Sequence, residues 1–137
     1  MLKLMKELTP EERHVMREDG TEAPFSGAYL DNHEHGMYRC KACGTLLFSS
    51  DAKFDSGTGW PSFTDPAVIE NIGTRLDKDG FRTEVYCRNC GGHLGHVFDD
   101  LSRFAGKACG LADKGGKRYC INSVCFDFEK ERREINS

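Results

Sequence analysis

The sequence predicts a mainly β, antiparallel domain with one short N-terminal helix and a metal clamp made of two Cys-x-x-Cys pairs. Three observations carry this reading. Short runs of β-branched and aromatic residues recur between glycine, proline and aspartate clusters after Gly36. One strong helix-start signal stands near the beginning. Cys40-Lys41-Ala42-Cys43 and Cys87-Arg88-Asn89-Cys90 place two thiol pairs far apart in the chain. At 137 residues and 38% hydrophobic composition, residues 1–137 fit one domain with one core.

The helix signal is Thr9-Pro10-Glu11-Glu12: a capping threonine, proline at the first helical position and glutamate three residues after the cap. The helix is expected to run to about Glu18 and to end at Gly20. Residues 21–36, with Pro24 and little periodicity, read as an extended arm that wraps the core. Strands are expected at residues 45–48, 68–71, 81–86 and 119–128. In the third, Phe81, Thr83 and Val85 alternate with Arg82, Glu84 and Tyr86, after an Asp77-Lys78-Asp79-Gly80 turn. Between Asp100 and Arg118 the chain turns rich in glycine, lysine and alanine and reads as a loop. From Glu129 onward it reads as a charged tail.

Net charge is −3, from 19 basic and 22 acidic residues, so no global positive field favours nucleic acid or an anionic membrane. No stretch approaches ~18 consecutive apolar residues, and Met-Leu-Lys-Leu-Met-Lys-Glu lacks a signal-peptide core. A cytoplasmic protein with no membrane partner is expected. In a reducing compartment, seven cysteines point to metal binding or thiol chemistry.

Four thiolates from Cys40, Cys43, Cys87 and Cys90 suit tetrahedral zinc, and the glycines after each pair let backbone amides turn toward sulfur. With all four coordinated no open position remains, so one structural zinc per chain is expected. Two redox-active dithiols, or cysteines packed as small apolar residues, are the alternatives.

That leaves Cys109, Cys120 and Cys125. In Arg118-Tyr119-Cys120-Ile121-Asn122-Ser123, strand periodicity sends Arg118, Cys120 and Asn122 to one face, roughly 7 Å apart in succession. A guanidinium beside Cys120 favours thiolate, and an amide can hydrogen-bond a bound oxygen. His93 and His96, three residues apart in Gly92-His93-Leu94-Gly95-His96-Val97-Phe98, converge only if Gly95 bends the strand. The one tryptophan, Trp60, sits in Gly57-Thr58-Gly59-Trp60-Pro61-Ser62-Phe63, where it can be a core aromatic or a flat apolar wall for a methyl group.

Taken in order, these segments resemble the B-type methionine sulfoxide reductases, the family specific for the R epimer at sulfur. The likeness covers nearly the whole chain, including Leu8-Thr9-Pro10-Glu11-Glu12 and Pro24-Phe25-Ser26-Gly27-Ala28-Tyr29. It implies two antiparallel β-sheets in a tent-like arrangement. It also implies that Cys120 attacks the sulfoxide sulfur and becomes a sulfenic acid, and that Trp60 and Phe63 bind substrate. His93, His96 and Asn122 then bind or protonate the oxygen, with His96 favoured as the acid. Oxidised proteins or peptides containing methionine sulfoxide are the implied partners, with a thioredoxin-like reductant and a monomeric chain.

The chain departs from the family pattern at Thr58, where members recycled through an internal disulfide carry cysteine. On one continuous strand Cys125 would lie about 17 Å from Cys120, too far for a disulfide. Cys109, in the loop before Arg118, is therefore the candidate resolving thiol. Direct reduction by an external thiol is its alternative. Two further readings compete with a reductase. A zinc-ribbon binding module explains only the Cys-x-x-Cys pairs, and a zinc-containing thiol peroxidase or redox sensor would let Cys120 meet peroxide instead.

Overall fold

The computed structural model describes residues 7–18, 20–100 and 116–131. The first helix, α1 (Pro10–Met16), forms where its caps predict it, with the Glu12 amide donating to Thr9 Oγ1 and the Thr9 amide donating to Glu12 Oε1. It stops before Glu18 because the Gly20 amide takes the carbonyl of His14 and turns the chain. Val15 and Met16 are buried, and the helix packs against the strand His93–Phe98 and the 3-10 turn Ser123–Cys125.

Two antiparallel sheets follow. The smaller has the order β2 (Leu46–Ser49), β1 (Gly36–Cys40), β9 (Phe126–Lys130). The larger runs β3 (Lys53–Phe54), β4 (Ser62–Phe63), β8 (Arg118–Ile121), β7 (His93–Phe98), β6 (Thr83–Cys87), β5 (Ile72–Leu76). This is the mainly β, two-sheet architecture with one short helix that the sequence predicts. Tyr38, Phe48 and Phe126 of the small sheet meet Phe63 of the large one, with Phe48 and Phe63 stacked at 4.5 Å. Such aromatic pairs contribute about 0.5–1.5 kcal/mol each beyond their buried area. Residues 21–35 cross this core without helix or strand, and Tyr29 packs on Tyr38 and Phe128.

Three strand expectations and the start of the tail change. Residues 68–71 are not a strand: Ile69–Asn71 is a 3-10 turn, and the Asn71 side-chain amide donates to the Leu46 carbonyl, so pairing starts at Ile72. Residues 81–82 stay outside β6 because the Asp79 carboxylate accepts both of their amides, which leaves Phe81 91% exposed. Residues 119–128 are two strands in different sheets, broken at Asn122 and joined by a 3-10 turn at Ser123–Cys125. Glu129 and Lys130 belong to β9 and pair with Met37 and Gly36, so the charged tail begins later than expected.

The bend in β7 lies at Leu94. Val85 faces Gly95 while Tyr86 faces His93, so Leu94 is an extra residue in a β-bulge. The bulge brings His93 and His96 to within 5.5 Å between ring centroids. Gly95 has a different duty: a Cβ there would stand 2.1 Å from the carbonyl oxygen of Cys120, in backbone that cannot yield. Replacing Gly95 by alanine is therefore expected to lower stability by about 2 kcal/mol or more in urea unfolding. A loss below about 0.5 kcal/mol would contradict this account of the β7–β8 contact.

Candidate active site

Sheet register assembles the site. In antiparallel pairs, residues directly opposite share a face, and one row crosses the large sheet as Ser62, Cys120, His96, Glu84 and Arg75. Cys120 thus has Ser62 on one side and His96 on the other. The thiol opens into a cavity of about 180 Å³. It is lined by Thr21, Thr58, Trp60, Arg82, Gly95, His96, Phe98, Arg118 and Asn122 together with Cys120.

Hydroxyls surround the sulfur. Thr58 Oγ1 lies 3.8 Å from Cys120 Sγ and 2.8 Å from Ser56 Oγ, which in turn meets Ser62 Oγ at 2.8 Å. Arg118 is held by a bidentate pair to Asp100, at 3.0 and 3.1 Å, and stacks over the Phe98 ring at 4.4 Å. Burial pushes the Cys120 thiol above its ordinary range, while Thr58, Arg118 and Ser62 pull the other way without prevailing. The guanidinium expected to favour thiolate is therefore present but outweighed by desolvation.

Both histidines are backed by carboxylates, through opposite ring nitrogens. His96 Nε2 pairs with Asp77, whose own carboxyl is held below the usual range chiefly by that hydrogen bond. His93 Nδ1 meets Glu84 Oε2 at 2.8 Å. Burial raises the Glu84 carboxyl, but Arg75 and His93 together bring it below its ordinary value. His96 lines the cavity. His93 lies behind it, fully buried, and its Nε2 has no hydrogen-bond partner among the described residues.

Of the other expected residues, Trp60 and Asn122 reach the cavity and Phe63 does not. Phe63 is enclosed between Phe48, Tyr38 and Phe126, because it follows Ser62 on β4 and points to the opposite face. Its expected place at the substrate is corrected to the core. Cys109 lies outside the described residues. Cys125 is fully buried, with its thiol donating to the His93 carbonyl at 3.2 Å. Away from the cavity, Cys40, Cys43, Cys87 and Cys90 bring their sulfurs within 4.8 Å of one another and can hold a metal ion.

Comparison with known proteins agrees with this geometry. The SelR domain family matches residues 8–130. The peptide methionine sulfoxide reductase MsrB of Methanosarcina barkeri is 52% identical over 128 residues, covering 92% of this chain and 83% of that protein. The proteins of the same name from Leptospira interrogans and Bradyrhizobium diazoefficiens are 48% and 49% identical, over 92% and 90% of this chain and 90% and 84% of theirs. The chain belongs to the B-type methionine sulfoxide reductase family.

As a member of that family the chain is an oxidoreductase acting on sulfur. Sequence reasoning missed Glu22, Asp77, Glu84 and Arg82. Glu84 stood on the polar face of its alternating strand, and neither it nor Glu22 carried a signal of burial. The elevated Cys120 thiol has a direct consequence. Its neutral form is favoured by the fold, so its contribution to stability is present below the ordinary thiol pKa and lost as pH rises through the folded value. Alkylation of Cys120 by iodoacetamide, followed by peptide mass spectrometry, is expected to gain about tenfold per pH unit across neutral pH. It should keep rising past the point where free cysteine levels off, and Arg118→Met should move the midpoint higher still. A midpoint at or below that of free cysteine would contradict the dominance of burial.

Proposed function

We propose that this chain reduces R-configured methionine sulfoxide in oxidised proteins and peptides, with Cys120 as the nucleophile. The observation that carries the proposal is Cys120 facing His96 across the β8–β7 register, inside a cavity walled by the only tryptophan. A volume of about 180 Å³ is below the ~300–1,000 Å³ of small-molecule pockets. It suits a single side chain presented by a polypeptide.

In this reading the methyl group lies against the Trp60 ring and the sulfoxide oxygen faces His96 and Asn122. Asn122 donates one amide hydrogen to the Leu94 carbonyl at 2.9 Å, and its second is available to the oxygen. His96 donates a proton to that oxygen, and Asp77 holds the imidazole ring in place through its hydrogen bond at Nε2. His93 supports the site from behind. Cys120 sulfur attacks the substrate sulfur, the hydroxyl passes from that sulfur to Cys120 as the transient sulfur–sulfur bond breaks, and the products are the Cys120 sulfenic acid and methionine. Two equivalents of thiol then restore Cys120, with release of water and formation of a disulfide. A thioredoxin-like donor supplies these electrons, and Cys109 is the candidate to take part as an internal thiol.

Zinc is the ion we assign to the four-cysteine cluster. Sulfurs about 2.3 Å from a tetrahedral centre stand about 3.8 Å apart. The Cys40–Cys90 and Cys43–Cys87 pairs stand at 3.7 and 3.6 Å. Bound there, zinc supplies folding energy and takes no part in the reaction.

Turnover of separated R and S methionine sulfoxide peptides with dithiothreitol tests the proposal. The R epimer alone should be reduced, and Cys120→Ser should remove at least about 10³-fold of that activity. Equal turnover of both epimers, or an active Cys120→Ser chain, would refute it.

A further inference from the structure

Glu22 lies on the arm between α1 and β1, in no regular element, yet it is only 6% exposed. Each of its polar groups joins it to chain far away. Its amide donates to Asn122 Oδ1 at 3.0 Å, and its carbonyl accepts from Trp60 Nε1 at 3.0 Å. Its carboxylate accepts the amides of Ser123 and Val124, at 2.8 and 3.0 Å. These partners are neutral, so desolvation pushes the carboxyl up and the two amides only partly pull it back. The fit is tight: a Cβ on Gly27 would stand 2.5 Å from Glu22 Oε2.

The local geometry gives this costly group a purpose. Asn122 is the N-cap of the 3-10 turn Ser123–Cys125, a position where asparagine ordinarily bonds the first free amides of its own turn. Here it makes no such bond. Glu22 takes those amides instead, about a hundred residues away in sequence, and Asn122 turns its side chain toward Leu94, Glu22 and the cavity. Glu22 also holds the Trp60 indole, which directly follows Gly59 on a loop where Gly57 and Gly59 both take positive φ and strand pairing does not fix it.

We infer that Glu22 is the positioning residue of the reaction, capping the Ser123–Cys125 turn in place of Asn122 and holding Trp60 and Asn122 at the cavity. The inference rests on the proposal that these two residues receive the sulfoxide. Without the carboxylate, Asn122 returns to its local capping role and withdraws from the cavity, and the arm loosens under Trp60. Glutamine can accept only one of the two amides and meets the other with its own NH₂, so it restores the arrangement in part.

The test combines steady-state kinetics on an R-sulfoxide peptide, the emission of Trp60, which is the only tryptophan, and thermal melts. Glu22→Ala is expected to raise KM about tenfold, the scale of a lost charge-assisted hydrogen bond, and to red-shift Trp60 emission. Glu22→Gln should fall between it and the parent. Asn122→Ala should cost clearly less in the Glu22→Ala background than in the parent, because the two changes remove one arrangement. Should Glu22→Ala not fold, Glu22→Gln and its double variant with Asn122→Ala carry the same readouts. Folded variants with parental KM and emission, or equal Asn122→Ala costs in both backgrounds, would overturn the inference, as would a lowered melting temperature with parental KM in the folded fraction. A parent that reduces no sulfoxide would refute the proposed function, while the emission shift would still report on the positioning.

Discussion

The four-cysteine cluster is the constraint on which the rest of the molecule hangs. Cys40 ends β1 in the small sheet and Cys87 ends β6 in the large one, so the cluster joins the two layers directly. It also reaches both strands of the site. In the first knuckle the Lys41 amide donates to the Cys125 carbonyl at 2.7 Å, which anchors the turn after β8. In the second, the Cys87 amide donates to the Gly92 carbonyl at 2.9 Å, one residue before His93. Backbone hydrogen bonds from the two knuckles thus reach the segments that carry Cys120 and the histidines.

From that anchor, register does the assembling. The Leu94 bulge in β7 moves His93 and His96 to neighbouring positions and turns the Leu94 carbonyl toward Asn122, while Gly95 lets β8 approach closely. Buried polar groups on a sheet are costly unless they are hydrogen-bonded. Arg75 pairs with Glu84, Glu84 with His93 Nδ1 and Asp77 with His96, the hydroxyls of Ser56, Thr58 and Ser62 form a chain beside the thiol, and His93 Nε2 alone is left without a partner among the described residues of this group. The groups around the thiol are therefore held by hydrogen bonds within the fold itself.

Local patterns were legible in the sequence and long-range substitutions of one partner for another were not. The Cys-x-x-Cys knuckles, the Thr9–Glu12 capping box and the turn before β6 each depend on residues close together, and each was readable. The placing of Cys120 and Arg118 on one face follows from strand periodicity, whereas Asn122 lies beyond the end of β8. The break at Asn122 was hidden because the group that stabilises it is Glu22, distant in sequence and set in a segment without periodicity. Phe63 was misplaced because a motif groups neighbours that a strand sends to opposite faces. The acidity of Cys120 was misjudged because a neighbouring guanidinium is visible in sequence and desolvation is not.

The dependence of the site on the cluster is tested most directly by measuring metal content, thermal unfolding and Cys120 alkylation on one sample before and after chelation. One zinc per chain is expected. Its removal should lower the melting temperature by more than about 10 °C and abolish the distinctive alkylation profile of Cys120, since apo chain loses the anchors at Cys125 and Gly92. A metal-free chain with four free cluster thiols, an unchanged melting temperature and an unchanged Cys120 profile would contradict the account.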